Sequence, residues 1–193
     1  ETDRSDMEFA GALIDELVEK FCADTARIYS TGFSLGSLFT ARLACGLSER
    51  LAAVVSVAGV FRTDDCDPAR AVPYMAFHGT LDPVLPYDAS VKSGFGGNPN
   101  FLAQEPLAEF AEFAVAAGCG ASSVDTPVDS EVIRHDFTGC TDGTSRTFFE
   151  IVGGGHTWPG SGEADRWKAM GIGATTDQID ATTLLSRIKL QEA

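Results

Sequence analysis

Residues 51 to 58 read Leu-Ala-Ala-Val-Val-Ser-Val-Ala, an apolar run with no polar face. A strand without a solvent side must be covered from both directions, which is the position of a central strand in a parallel sheet flanked by helices. Pro73 to His78 is a second run of this kind. Candidate helices alternate with these strands. Ser5 with Glu8 three residues on is a capping-box signal, and Phe9, Leu13, Leu17 and Phe21 recur at helical spacing, predicting a helix over 5–21 with an apolar face. Ala26 to Thr31 reads as a short strand, Leu35 to Leu47 as a helix and Gln104 to Ala117 as a further amphipathic helix. Glu131 to Phe137 and Arg146 to Val152 read as a pair of strands, and Thr175 or Thr176 could cap a last helix reaching about Lys189. This alternation predicts an α/β fold, a mainly parallel sheet flanked by helices, in one domain spanning 1–193.

The charge excludes one class of function. A formal net charge of −14 is the wrong sign for nucleic acid, where Lys and Arg must displace the counterions of the phosphates. No stretch approaches the roughly 18 consecutive apolar residues of a membrane span, so neither nucleic acid nor membrane is an expected partner. The acidic loop from Arg62 to Arg70 holds Asp64, Asp65 and Asp67 but lacks the glycine and distal glutamate of a calcium loop, and it reads as solvated. Gly94 to Pro99 reads as a flexible loop.

Five cysteines leave one over after pairing, and none stands in a CxxC arrangement. Cys119 follows a helical segment and Cys140 a strand-like one, each in a Gly-Cys context, so these two are expected to pair; Cys45 with Cys66 is the second expected bridge. Cys22, near the end of the first helix, is expected to be a buried free thiol. Oxidised cysteines would place the protein outside the cytosol.

The chemistry gathers at three places. Gly32-Phe33-Ser34-Leu35-Gly36 lies between a strand and a helix, the setting of a nucleophile on a sharp turn, with the flanking glycines keeping side chains out of it. A serine hydroxyl needs a base, and the chain has three histidines. His78 lies inside an apolar strand and reads as structural; His135, between Arg134 and Asp136, reads as exposed. His156 follows a strand and three glycines, which makes it the expected base. Asp82, on the loop after the Pro73 to His78 strand, is the expected acid, with Asp88 and Asp142 as rivals. The chain order Ser34, Asp82, His156 is that of the α/β-hydrolases. Phe33 and Trp158 flank catalytic positions and are candidates for a substrate pocket.

Thr31 to Gly36, Phe77 to Asp82 with Val84-Leu85-Pro86-Tyr87, and Gly153-Gly154-Gly155-His156-Thr157-Trp158-Pro159-Gly160 together resemble the secreted esterases that group polyhydroxybutyrate depolymerases with feruloyl and acetylxylan esterases. The resemblance implies the Ser34, Asp82, His156 triad, a covalent acyl-enzyme, ester substrates of small-molecule, polyester or plant cell-wall type, extracellular action and no cofactor or metal. It also implies Leu35 N–H as one oxyanion donor. Where such esterases have a further Gly after the elbow, this chain has Ser37, and little damage is expected. The larger departure is at the start. The chain opens at Glu1, without an initiator Met or a signal segment, and lacks the strands that precede the first helix in the group, one of whose loops supplies the second oxyanion N–H. Truncation of this kind would leave the strand at Ile28 as a sheet edge, which implies a processed or incomplete product, a second chain that supplies the missing half, or association of copies, the expected outcome being association in some form. A non-catalytic binding or structural role is the alternative expectation.

Overall fold

The computed structural model describes residues 3–61, 66–91 and 105–191. A six-stranded sheet runs in the order β1-β2-β3-β6-β5-β4, with β1 at Tyr29–Phe33, β2 at Ala53–Val57, β3 at Tyr74–Gly79, β4 at Ser123–Pro127, β5 at Val132–Phe137 and β6 at Arg146–Ile151. β1, β2, β3 and β6 are parallel, and β5 and β4 add to them antiparallel. The two runs read as central strands are central: all five residues of β2 are buried, and β3 lies between β2 and β6. Helices α1 (Asp3–Phe21), α2 (Leu35–Gly46), α3 (Pro106–Ala116), α4 (Ala164–Ala169) and α5 (Ala181–Gln191) accompany the sheet.

One apolar layer joins α2 and α3 to the sheet through Ala41, Leu43, Val54, Tyr74, Phe110, Phe113 and Phe148. A second joins α5 through Ala181 and Ile188 to Val55, Val57, Phe77, Phe149 and Ile151. Alternate residues of each strand serve opposite layers, which is why the central strands read as unbroken apolar runs. The Cys45–Cys66 and Cys119–Cys140 disulfides tie α2 and α3 to neighbouring loops.

The structure corrects several expectations. α1 begins at Asp3, so Ser5 falls inside its first turn rather than at its cap. Its stripe of Phe9, Leu13, Leu17 and Phe21 stands in solvent, with Phe9 68% and Phe21 72% exposed, while Met7, Ala10 and Ile14 make the contact with the core. Helical spacing identifies a stripe, not what it packs against. Cys22 is free as expected but exposed, because it ends α1 on that same open side with a φ of 53°. The strand expected from Ala26 starts at Tyr29, after a 3₁₀ turn at Thr25–Arg27 capped by the Asp24 carboxylate. The last helix starts at Ala181 rather than near Thr176, whose hydroxyl donates to Glu131 instead. The edge strand β4 and helix α4 were not foreseen. Asp64, Asp65 and the Gly94 to Pro99 loop lie outside the described residues.

Candidate active site

β1 ends at Phe33, and Ser34 stands at the turn into α2 with φ 57° and ψ −123°, a conformation an L-residue holds only where its surroundings impose it. Its N–H continues the sheet by donating to the Val57 carbonyl at 3.0 Å. Gly32 is required here: a Cβ on it would stand 1.9 Å from the Gly36 carbonyl oxygen. Gly36 is different, since a Cβ on it would meet open space. The expectation that both glycines relieve crowding therefore holds for Gly32 alone. Ser37 is fully buried and its hydroxyl donates to the Ser34 carbonyl, so it serves the first turn of α2.

Asp82 lies three residues beyond β3 in a turn that it closes itself. Its Oδ1 accepts the N–H groups of Val84 and Leu85, both at 2.8 Å, leaving Oδ2 for another partner. The loop after β6 meets it closely, because Gly79 and Gly154 approach so near that a Cβ on Gly79 would stand 2.3 Å from the Gly154 carbonyl oxygen. Beyond Gly155, His156 is held by its own N–H donating to the Ile172 carbonyl at 2.7 Å.

These three elements bring Ser34, Asp82 and His156 together. His156 Nδ1 lies 2.8 Å from Asp82 Oδ2, and its Nε2 lies 2.7 Å from Ser34 Oγ. A carboxylate can only accept, so Nδ1 carries the proton and Nε2 is free to accept from the hydroxyl. Asp82 and His156 are buried and Ser34 is half-buried. The rival Asp88 is exposed, and hydrogen bonds from the Ser90 side chain and then from the Ser90 N–H hold its carboxylate below the usual carboxylate range. The side chain of Asp142 lies outside the described residues.

Leu35 opens α2, where the first N–H groups of a helix have no partner within it, and its side chain is 63% exposed beside Ser34. Phe33 packs its ring 5.0 Å from that of His156 and 6.5 Å from that of Trp158, whose indole N–H donates to Thr182. Trp167 on α4 also lies 6.0 Å from Phe33. It was missed because α4 is a six-residue helix without a buried residue, which leaves no periodicity to read.

The other two histidines differ from one another. His78 is buried, as expected of a structural residue, and donates from Nε2 to the Leu85 carbonyl at 2.8 Å. Burial pushes its pKa down, against the smaller opposing pull of Asp82. His135 was expected to be exposed, but it is buried between Asp125 at 2.8 Å and Glu150 at 3.3 Å. The polar residues around it in sequence concealed that β4 covers it. Glu150 also accepts from the Tyr87 hydroxyl, and burial raises the pKa of that hydroxyl.

Among the described residues no group of three or more His, Cys, Asp or Glu side chains is placed to hold a metal ion, and no helix is long and apolar enough to cross a membrane. A cleft of about 700 Å³ beside Arg27, Arg50 and Arg70 is lined by none of Ser34, Asp82 and His156.

No family model matches the chain. Among curated proteins it is 31% identical to a feruloyl esterase B of Piromyces equi over 80% of this chain and 29% of that protein. It is 28% identical to a putative esterase, NocK, of Nocardia uniformis subsp. tsuyamanensis over 91% of this chain and 54% of that protein, and 30% identical to a feruloyl esterase C of Emericella nidulans over 80% and 51%. The chain thus spans about half the length of the curated relatives it matches, or less. Among solved structures, an acetyl xylan esterase from Aspergillus awamori superposes with a TM-score of 0.53 at 14% identity, over 86% of this chain and 67% of that one. The fold is α/β, of the α/β-hydrolase kind.

Proposed function

We propose that the chain is a carboxylic ester hydrolase working through Ser34, His156 and Asp82. The observation that carries this reading is the single imidazole of His156 bridging the Ser34 hydroxyl at 2.7 Å and the Asp82 carboxylate at 2.8 Å. Folding alone does not require a serine in a left-handed turn to face a buried histidine.

In this reading Ser34 Oγ attacks the ester carbonyl carbon while Nε2 of His156 takes its proton, and Asp82 stabilises the imidazolium. The tetrahedral oxyanion is met by the Leu35 N–H at the start of α2. Collapse expels the alcohol, protonated by His156, and leaves an acyl group on Ser34; water, deprotonated by the same imidazole, then releases the acid. Every step uses groups of the chain and no cofactor. The similarity to feruloyl esterases, together with the aromatic surface of Phe33 and Trp158, supports feruloyl esters as substrates, with short-chain acyl esters and aliphatic polyesters in the same chemical class. The two disulfides support action outside the cytosol.

The place of β1 at one end of the sheet order among the described residues favours a second reading, in which another copy or a second chain packs along that edge. Hydrolysis of methyl ferulate and of p-nitrophenyl acetate and butyrate, beside Ser34→Ala and with the mass in solution recorded, tests both. Turnover that requires Ser34 is the expected result. Activity confined to an oligomer supports the second reading, and no turnover in any form contradicts the first.

A further inference from the structure

Asp82 is carried by a loop, and its usefulness depends on which of its oxygens faces His156. The front of that loop is fixed by Thr80 N–H on the Ile151 carbonyl and Leu81 N–H on the Gly154 carbonyl. The back half, Val84 to Tyr87, supplies the two amides that occupy Oδ1, and it needs an anchor of its own. Two side chains reach it from the sheet. Tyr87 donates to Glu150 on β6, and the Leu85 carbonyl accepts Nε2–H of His78 on β3.

His78 does more than fill space. Its side chain is wholly buried, its Nε2 lies 3.5 Å from Asp82 Oδ2, and its ring meets that of Tyr87 edge-on at 5.9 Å. With Nε2–H given to Leu85, Nδ1 has no hydrogen-bond partner. A cation at this distance from Oδ2 would compete with the imidazolium that forms on His156 for the same carboxylate. Burial keeps His78 neutral, so the site gains a donor without gaining that competitor.

Resting on the ester hydrolase reading, we infer that His78 is a positioning residue for the catalytic acid. Its Nε2–H holds the Leu85 carbonyl, that contact holds the Val84 and Leu85 amides on Oδ1, and Oδ2 is thereby kept for His156. His78 touches no substrate and transfers no proton.

The test is kcat and KM for methyl ferulate in the wild type, Ser34→Ala, His78→Gln, His78→Asn and His78→Leu, with the low-field proton resonance of the His156 to Asp82 hydrogen bond recorded for each. Glutamine carries its amide nitrogen as many bonds from Cβ as histidine carries Nε2; asparagine stops one bond short and leucine has no donor. The expected result is a kcat lowered about 10- to 100-fold in the Asn and Leu variants, with KM changed less than about twofold, and a kcat within about threefold of wild type in the Gln variant. The low-field resonance should persist with Gln and broaden or vanish with Asn and Leu. If the Leu variant does not fold, the Gln and Asn pair still decides. Equal kcat in Gln and Asn, or a resonance unchanged in all variants, overturns the assignment of His78 while Ser34-dependent turnover leaves the hydrolase reading standing. Turnover that survives Ser34→Ala overturns both.

Discussion

Around Asp82 and His156 the polar atoms are engaged: both carboxylate oxygens of Asp82 and both ring nitrogens of His156 have partners at 2.7–2.8 Å. On the flank made by α1, four large apolar side chains stand in solvent, and among the described residues β1 ends the sheet order. The two regions differ in the range of what builds them. Residues 78–87 and 150–156 converge through contacts among themselves and with two adjacent strands, whereas α1 is held mainly through Met7, Ala10 and Ile14. The geometry of the site should therefore tolerate changes on the flank, and the flank should gain little from the site.

The comparison breaks first at the acid. Asp82→Asn keeps the shape of the turn but gives His156 the wrong tautomer, so kcat for methyl ferulate should fall by about 10⁴-fold with the melting temperature nearly unchanged. A smaller loss would mean that another carboxylate serves His156. On the flank, Ile14→Ala removes a buried side chain and should cost about 2–4 kcal/mol in urea unfolding. Activity per folded molecule should remain at the wild-type level, and a parallel fall in kcat would show that the two regions are coupled.

Protonation gives a finer probe. Burial lowers the pKa of His78 in the folded chain, so between its folded and unfolded values the unfolded chain binds the extra proton. Its contribution to stability is complete above the unfolded pKa, about 6.5, and is lost as pH falls below that toward the folded value. Urea titrations from about pH 6.5 downward should show stability falling with pH through this group, and His78→Gln should flatten that slope. An unchanged slope would mean that His78 is charged in the folded chain. The smallest effect belongs to the exposed stripe: Phe21→Ser should change stability by no more than about 0.5 kcal/mol. A larger loss would show that Phe21 is covered in solution.

The same division governs what the sequence revealed. Leu51 to Ala58 and Pro73 to His78 announced central strands because a strand buried on both faces leaves an unbroken apolar run. That Ser34, Asp82 and His156 stand on turns beyond strand ends was legible because the turn chemistry around each is local: Gly32 beneath the elbow, Gly79 against Gly154. Where position depends on distant partners, the reading failed. His135 looked exposed because nothing in its neighbourhood indicates that β4 returns to cover it with Asp125. The α1 stripe was legible as an apolar face, but spacing does not record what lies opposite it, and it stands in solvent. The contact of Trp167 with Phe33 depends on an excursion between His156 and Ile172 that carries no repeating pattern.

The proposal that Ser34 is a nucleophile activated by His156 is tested most directly by reaction with an aryl or fluoro phosphonate, with the modified peptide located by mass spectrometry. One adduct per chain, on Ser34, formed at a rate that collapses in His156→Ala, is the predicted result. Labelling of another residue, or labelling of Ser34 at the same rate without His156, would contradict it.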